Sequence, residues 1–190
     1  MGSTLSPVIL TNRLILRSYC FGDESWYYKM SQRNHTHLER YESENPAMAI
    51  KNEEDAKKII TDFVSEWQKG SQYFMGVFLK ESEQFVAQLY IGLVNRNVPE
   101  FGIGYFADME HEGKGYVTEA VNAVAKSLFE MLNAHRLRIE TDDTNVRSIS
   151  VAERCGFTKE GHIRENKKNP DGSYSGTLFY GLLRSEFHNR

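Results

Sequence analysis

Two glycines flank a lysine in Glu112-Gly113-Lys114-Gly115-Tyr116-Val117-Thr118, between a strand-like run at residues 100–107 and a helical pattern that begins near Tyr116. With no Cβ at either glycine, the backbone N–H groups of such a turn can converge on one concavity, and the positive end of the next helix lies behind them. That combination holds a phosphate or pyrophosphate. Three loops of this chemistry compete. A P-loop requires GxxxxGK[ST], whereas Lys114 lies between its glycines. A dinucleotide loop requires GxGxxG after an early strand, and here Thr118 stands at the third glycine, past the middle of the chain. A coenzyme A pyrophosphate loop fits the order strand, loop, long helix, short strand and asparagine-bearing helix.

Other residues carry weaker signals. His35 and His37 lie two apart without a third ligand at metal-site spacing, so they read as surface histidines and no metal is expected. His111-Glu112 lacks the second histidine of HExxH. Trp26, Tyr27 and Tyr28 could line an acceptor cleft with Tyr41, core packing being the alternative. Asp142-Asp143 reads as a pair of solvated loop carboxylates. Cys20 and Cys155 are far apart and outside any CxxC, which argues against a disulfide framework and for a reducing, cytoplasmic setting.

The elements that must position these groups follow from periodicity. Residues 13–17 alternate as a strand, and Asp23 is placed to N-cap a helix through about Gln32. Residues 35–49 are irregular, with a short helical turn near Pro46. Asn52 caps a second helix, with Asp55 at the capping-box position, Ala56, Ile59, Ile60, Phe63 and Trp67 on one face, and Gly70 at its end. Strands are predicted at 73–79, 85–94 and 100–107. A helix over 116–132 aligns Ala120, Val121, Val124, Leu128 and Met131. A short strand at 137–141 and a helix at 145–154, stopped by Gly156, come next. Strands at 162–165 and 177–183 close the chain around an Asn169-Pro170-Asp171-Gly172 turn.

The 190 residues, 40% hydrophobic and 12% aromatic, suit one domain with a sizeable core. Lys+Arg is 23 against Asp+Glu 26, a formal charge of -3, which argues against a dedicated nucleic-acid binder. No apolar run reaches the roughly 18 residues of a membrane span, so no membrane partner is expected. No signal-peptide pattern opens the chain. Met1-Gly2-Ser3 reads partly as a cloning remnant and residues 1–10 as a flexible lead.

The loop and its strand, residues 100–120, resemble motif A of the Gcn5-related N-acetyltransferases (GNAT). Asn145-Val146-Arg147-Ser148, continuing to Cys155-Gly156-Phe157-Thr158-Lys159-Glu160-Gly161, resembles the NxxS…GFxxEG segment of the RimJ/RimL ribosomal-protein branch. Thr11-Asn12-Arg13-Leu14-Ile15-Leu16-Arg17 is similar to that branch's opening, and Tyr180-Gly181-Leu182-Leu183-Arg184-Ser185-Glu186 to its closing strand. Four landmarks in order cover nearly the whole chain.

The resemblance implies an α/β (α+β) GNAT fold: a central, mostly antiparallel mixed sheet with a splayed parallel strand pair, flanked by helices. It implies acetyl-CoA as cofactor and direct transfer to a primary amine, with no nucleophile expected at Cys20 or Cys155. The acceptor is a protein N-terminal α-amine, or in relatives a polyamine, antibiotic or other small amine, with specificity carried by residues 26–49. A catalytically weak acyl-CoA-binding protein is the rival, and a homodimer is allowed. Backbone groups of Tyr105, Phe106 and Ala107 would bind the pantetheine arm, and the amides of Gly113, Lys114, Gly115, Tyr116, Val117 and Thr118 the pyrophosphate. Asn145 would contact the cofactor near its reacting end. Ala152 stands where many members carry an acid tyrosine. Ser148 occupies the position where the RimL-type branch uses serine as acid, the alternative being that its hydroxyl only bonds a carbonyl one turn back in its helix. The family's usual glutamate registers fall on Lys167 and Gly102, so Glu100 and Glu165 become the carboxylates for the base, against a plain reading as solvated side chains. Glu112 and Val117 depart from motif A: Glu112 is tolerable if it points to water, and Val117 requires a slight shift of the loop.

Overall fold

The central strands of this chain are apolar on both faces, which requires a sheet covered on both sides. The structure, a computed structural model, describes residues 4–169 and 171–188. In chain order the strands are β1 (Val8–Leu10), β2 (Leu14–Ser18), β3 (Gln72–Leu79), β4 (Phe85–Asn95), β5 (Glu100–Ala107), β6 (Arg136–Asp142), β7 (Thr158–Lys168) and β8 (Tyr174–Leu183). The helices are α1 (Glu24–Leu38), α2 (Glu53–Lys69), α3 (Tyr116–Met131), α4 (Val146–Arg154) and α5 (Arg184–His188), with a 3-10 turn at Pro46–Ala49. One sheet of eight strands results, in the order β1-β2-β3-β4-β5-β6-β8-β7. Every neighbouring pair is antiparallel except β5 and β6, the parallel pair that the family resemblance anticipates. No helix of the described residues is long and apolar enough to cross a membrane.

On one face α3 sets Ala120, Val124 and Leu128 against Leu16, Met75, Leu89, Ile103 and Leu137. On the other, α1 and α2 set Tyr27, Met30, Ile60 and Phe63 against Tyr19, Phe78, Phe85 and Phe106. Each such side chain, fully buried, contributes ~1.5–3 kcal/mol of hydrophobic free energy. The second face is the aromatic one, with Phe63 stacked on Phe74 at 4.0 Å between centroids.

The differences from the sequence reading have tertiary causes. The lead expected to be flexible over residues 1–10 is tied down: Leu5 is fully buried and β1 pairs with β2. Residues 1–3 lie outside the described set. α1 runs to Leu38, past Gln32, because its second half is anchored by the loop after β5. Asn34 donates to Asp108 Oδ2 (2.9 Å) and accepts from the Met109 N–H (2.9 Å), and Arg33 pairs with Asp108. Asp23 makes no side-chain cap; its carboxylate accepts from both Arg17 Nη atoms (2.8 Å each) and Trp26 Nε1 (2.7 Å). α3 buries Phe129 and leaves Met131 exposed, since Phe129 meets Phe187 of α5, an element that periodicity does not reveal. β7 is far longer than residues 162–165, with two register shifts against β8. In the turn after it Gly172 N–H reaches Asn169 O, while Pro170 is outside the described residues.

One close approach fixes the middle of the sheet. Tyr90 on β4 pairs with Gly104 on β5, and its ring lies where a Gly104 side chain would be: a Cβ there would stand 1.8 Å from Tyr90 Cε2. Gly104→Ala should therefore lower stability in urea unfolding by ~1–3 kcal/mol, as overpacked sites do. In a Tyr90→Ala background the same change should cost close to nothing. An equal cost in both backgrounds would show that the ring is not what excludes the methyl group.

Candidate active site

β5 and β6 pair over three residues only, Glu100 with Arg136, Phe101 with Leu137 and Gly102 with Arg138. Beyond them β5 stays with β4 to Ala107, and β6 stays with β8 to Asp142, so the two strands part. A cavity of about 840 Å³ lies in the gap, bounded by residues 102–105 of β5, 138–142 of β6, Asn145, Ser148 and the segment 39–46. Backbone alternation decides which groups enter it. Asp108 N–H donates to Val86 O at 2.9 Å, so by the two-residue repeat Phe106 and Gly104 exchange bonds with β4. Tyr105 and Ala107 turn their amides and carbonyls to the splayed side. Of the three residues expected to bind pantetheine, Phe106 is thus committed to β4, and its ring belongs to the aromatic core.

Asn145 starts α4 by accepting the Ser148 N–H on its Oδ1 (3.1 Å), an N-cap that fixes Ser148 in the first turn. The Ser148 hydroxyl stands 3.0 Å from Tyr105 Oη, and Tyr105 Oη also lies 3.1 Å from the Ser148 carbonyl. Bonding to the carbonyl one turn back is done instead by Ser150, toward Val146 O (2.8 Å). Burial pushes the Tyr105 phenol well up, so it keeps its proton at neutral pH.

The glycine loop has the backbone its sequence requires: φ is 72° at Gly113 and 76° at Gly115, values that only glycine adopts without strain. Arg13 braces it from behind, donating to Lys114 O (3.1 Å), pairing with Glu119 (2.7 Å) and lying 4.7 Å from the Tyr116 ring centroid. Val117 packs against the core under α3, so its branched side chain points away from the loop's concavity. Thr118 O accepts from Cys155 Sγ (3.5 Å). Glu112 does not point to water: it pairs with Arg147 of α4 and faces His37 Nε2 of α1 at 3.5 Å. That bridge joins the glycine loop to the helix bearing Ser148.

The structure does not bring Glu100 or Glu165 to this cavity. Glu100 is held by Arg136 (2.9 Å) at the paired end of β5 and β6. Glu165 is exposed on β7, in a bulge with φ 51°. Tyr27 is a core residue, and Trp26 and Tyr28, half-buried, pack against the same core. Tyr41 alone of that aromatic group lines the cavity, with its hydroxyl 3.3 Å from Thr144 O. Asp142 and Asp143 are bonded rather than freely solvated, Asp142 to Ser175 (2.5 Å) and Thr144, Asp143 to His162 (2.8 Å). Sequence reasoning missed Glu42 and Tyr90. Both line the cavity, and Tyr90 Oη lies 2.9 and 3.0 Å from the two Glu42 oxygens. Burial pushes the Glu42 carboxyl up to about 7, against the lowering bonds from Asn45 and Tyr90. Their juxtaposition across 48 residues leaves no signal in local spacing.

The model of the family described as "Acetyltransferase (GNAT) domain" matches residues 13–158. The chain belongs to the GNAT acetyltransferases. It is 34% identical over 116 residues to the probable N-acetyltransferase YjcK of Bacillus subtilis, covering 60% of this chain and 64% of that protein. Against the ribosomal-protein-serine acetyltransferase of Escherichia coli it is 29% identical over 84% of this chain and 87% of the relative. The solved Mycobacterium smegmatis RimJ in complex with CoA-disulfide superposes with a TM-score of 0.81 at 21% identity, covering 98% of this chain and 91% of that one, a likeness of fold. Acetyl-CoA is the cofactor of GNAT acetyltransferases. The residues here fit that group: backbone groups of Tyr105 and Ala107 turned to the side where β6 has parted, the Tyr105 N–H meeting the Tyr90 hydroxyl there, and a positive-φ glycine loop at the N-terminus of the 16-residue α3.

The Glu42 shift has a consequence for stability. A carboxyl whose pKa is raised in the folded state binds its proton more tightly there than in the unfolded chain. Its stabilising effect is therefore full below the ordinary 4.5 and is lost as pH rises toward about 7. Glu42→Gln removes the titration. The thermal stability of the wild type, relative to this variant, should fall between pH 4.5 and 7.5 by at most roughly 3 kcal/mol. A difference that stays flat across this range would contradict the raised pKa.

Proposed function

We propose that this protein is an acetyl-CoA-dependent N-acetyltransferase that transfers the acetyl group directly to a primary amine, the N-terminal α-amine of a protein. The observation that carries the reading is the single cleft shared by the splayed strands, the Ser148–Tyr105 hydroxyl pair and the segment 39–46. A cofactor held along β5 and an amine entering past that segment meet in one space. The E. coli relative, matched over 84% of this chain and named for a ribosomal protein, supports a protein amine as acceptor.

Acetyl-CoA, when bound, supplies an activated acyl carbon and a thiolate leaving group. The chain's own residues do the rest. Backbone groups of Tyr105 and Ala107 hold the pantetheine arm as a partner strand would, and the amides of residues 113–118 hold the pyrophosphate with the α3 dipole. Asn145, already fixed as a cap, presents its amide at the cavity wall. Ser148 gives its hydroxyl proton to the departing sulfur and recovers one from the amine nitrogen, with Tyr105 orienting it. Proximity and proton management of this kind account for the rate in the absence of a covalent intermediate.

An acceptor panel with thiol detection tests both parts. Peptides with a free N-terminal serine or alanine should release CoA thiol with a kcat/KM above that of spermidine or an aminoglycoside. The opposite ranking would move the acceptor to a small amine, and silence with every amine would end the enzyme reading. Ser148→Ala should lower kcat ~100-fold or more and leave acetyl-CoA affinity intact. Turnover at the wild-type rate in that variant would remove Ser148 from the chemistry.

A further inference from the structure

We propose that Glu42 is the general base of this cleft, taking the proton of the acceptor's ammonium group so that the free amine can attack. The inference rests on the acetyltransfer reading above and assigns a role that neither Glu100 nor Glu165 is placed to fill.

Position is the first argument. The Tyr90 ring lies directly against Gly104, so the Glu42 carboxylate bonded to Tyr90 Oη stands on the α1–α2 side of β5. Tyr105, the next residue along the strand, packs toward the opposite core and reaches Ser148 on α4. Base and acid therefore flank the splayed strand from its two faces. Amide formation needs this division, because one proton must leave the nitrogen on the acceptor side while another arrives at sulfur on the other.

The second argument is availability. The remaining acids of the cavity wall are engaged or stand at its rim: Asp142 accepts from Ser175 and Thr144, Glu140 pairs with Arg138 (2.7 Å), and Glu39 and Glu44 are exposed. Glu42 accepts from neutral donors, Tyr90 Oη and Asn45 Nδ2 (3.0 Å), which leaves lone pairs for a cationic guest. The charged or titratable groups around it are Tyr90 from β4, Tyr105 from β5 and Lys167 from β7. Lys167 exerts the weakest pull of the groups acting on it. Arg40, on its own segment, is drawn off over the Tyr41 ring at 5.0 Å. A carboxyl pushed up by burial to about 7 is matched to the α-ammonium it must deprotonate, whose pKa is ~7.7–8.

The step balances. The nitrogen–carbon bond forms and the carbon–sulfur bond breaks. Of the two protons the ammonium loses, one passes to Glu42 and on to solvent, and the other restores Ser148 after its own proton has gone to sulfur.

The test combines Glu42→Gln and Tyr90→Phe with readouts in the free and turning-over protein. Glu42→Gln should lower kcat ~100-fold or more, keep acetyl-CoA affinity within about twofold of wild type, and abolish the rise of the rate through pH about 7 that is expected of the wild type. The rise set by the acceptor's own ammonium stays in both. Tyr90→Phe keeps the base and removes a donor that stabilises its anion. That variant should move the rise to higher pH, and the Glu42 carboxyl titration seen by carbon NMR in the free protein should move with it. A Glu42→Gln enzyme with wild-type kcat and an intact pH profile overturns this assignment alone. A wild type silent with every amine overturns the acetyltransfer reading as well. If Glu42→Gln does not fold, the paired shift in Tyr90→Phe decides: an NMR titration that moves while the rate profile stays fixed removes Glu42 from the chemistry.

Discussion

Parallel strands that separate after three paired residues leave backbone amides and carbonyls facing a gap, and unpaired peptide groups are costly unless water or a ligand meets them. Every other feature of the site follows from that separation at Gly102 and Arg138. β4 must hold β5 from one side and β8 must hold β6 from the other, or the gap would close or the sheet would fall in two. The loop after β5 and the loop after β6 are then forced apart, so the N-termini of α3 and α4 come to frame the opening. A cofactor arm rich in amides can complete the ladder that the protein leaves unfinished.

Much of this was legible in the sequence because it is local. The glycine loop is determined by two residues that tolerate positive φ, the α4 cap by Asn145 and the amide three residues on, and α2 by Asn52 and a five-residue apolar stripe. The order of these signals was enough to place the strands that part. What escaped was decided by contacts across the fold. β1 is a three-residue edge that exists through β2, and the second half of α1 persists through Asp108, some 74 residues away. The charged and irregular β7 is defined by its pairing with β8, so no alternation marks it.

The same division separates the two side chains proposed to carry protons. Ser148 could be named from a motif because its helix is short and self-capped. Glu42 could not, since its neighbours reach it from β4 and β7, and a glutamate in the polar stretch Glu39-Arg40-Tyr41-Glu42 looks like any solvated carboxylate. Glu100, by contrast, lies at the end of β5 where the parallel ladder is still closed and Arg136 holds it. Chain position identified the strand; only the pairing showed how far along it the gap begins.

The bridge from Glu112 to Arg147, with His37 beside it, gives the start of the glycine loop an internal counter-ion. A guanidinium already matched with a carboxylate offers little to a stray polyanion, which must displace one negative partner to gain another. A ligand that also threads the gap between the strands gains contacts that a bare phosphate cannot. Glu112, already matched by Arg147, thus adds little uncompensated negative charge beside the glycine loop.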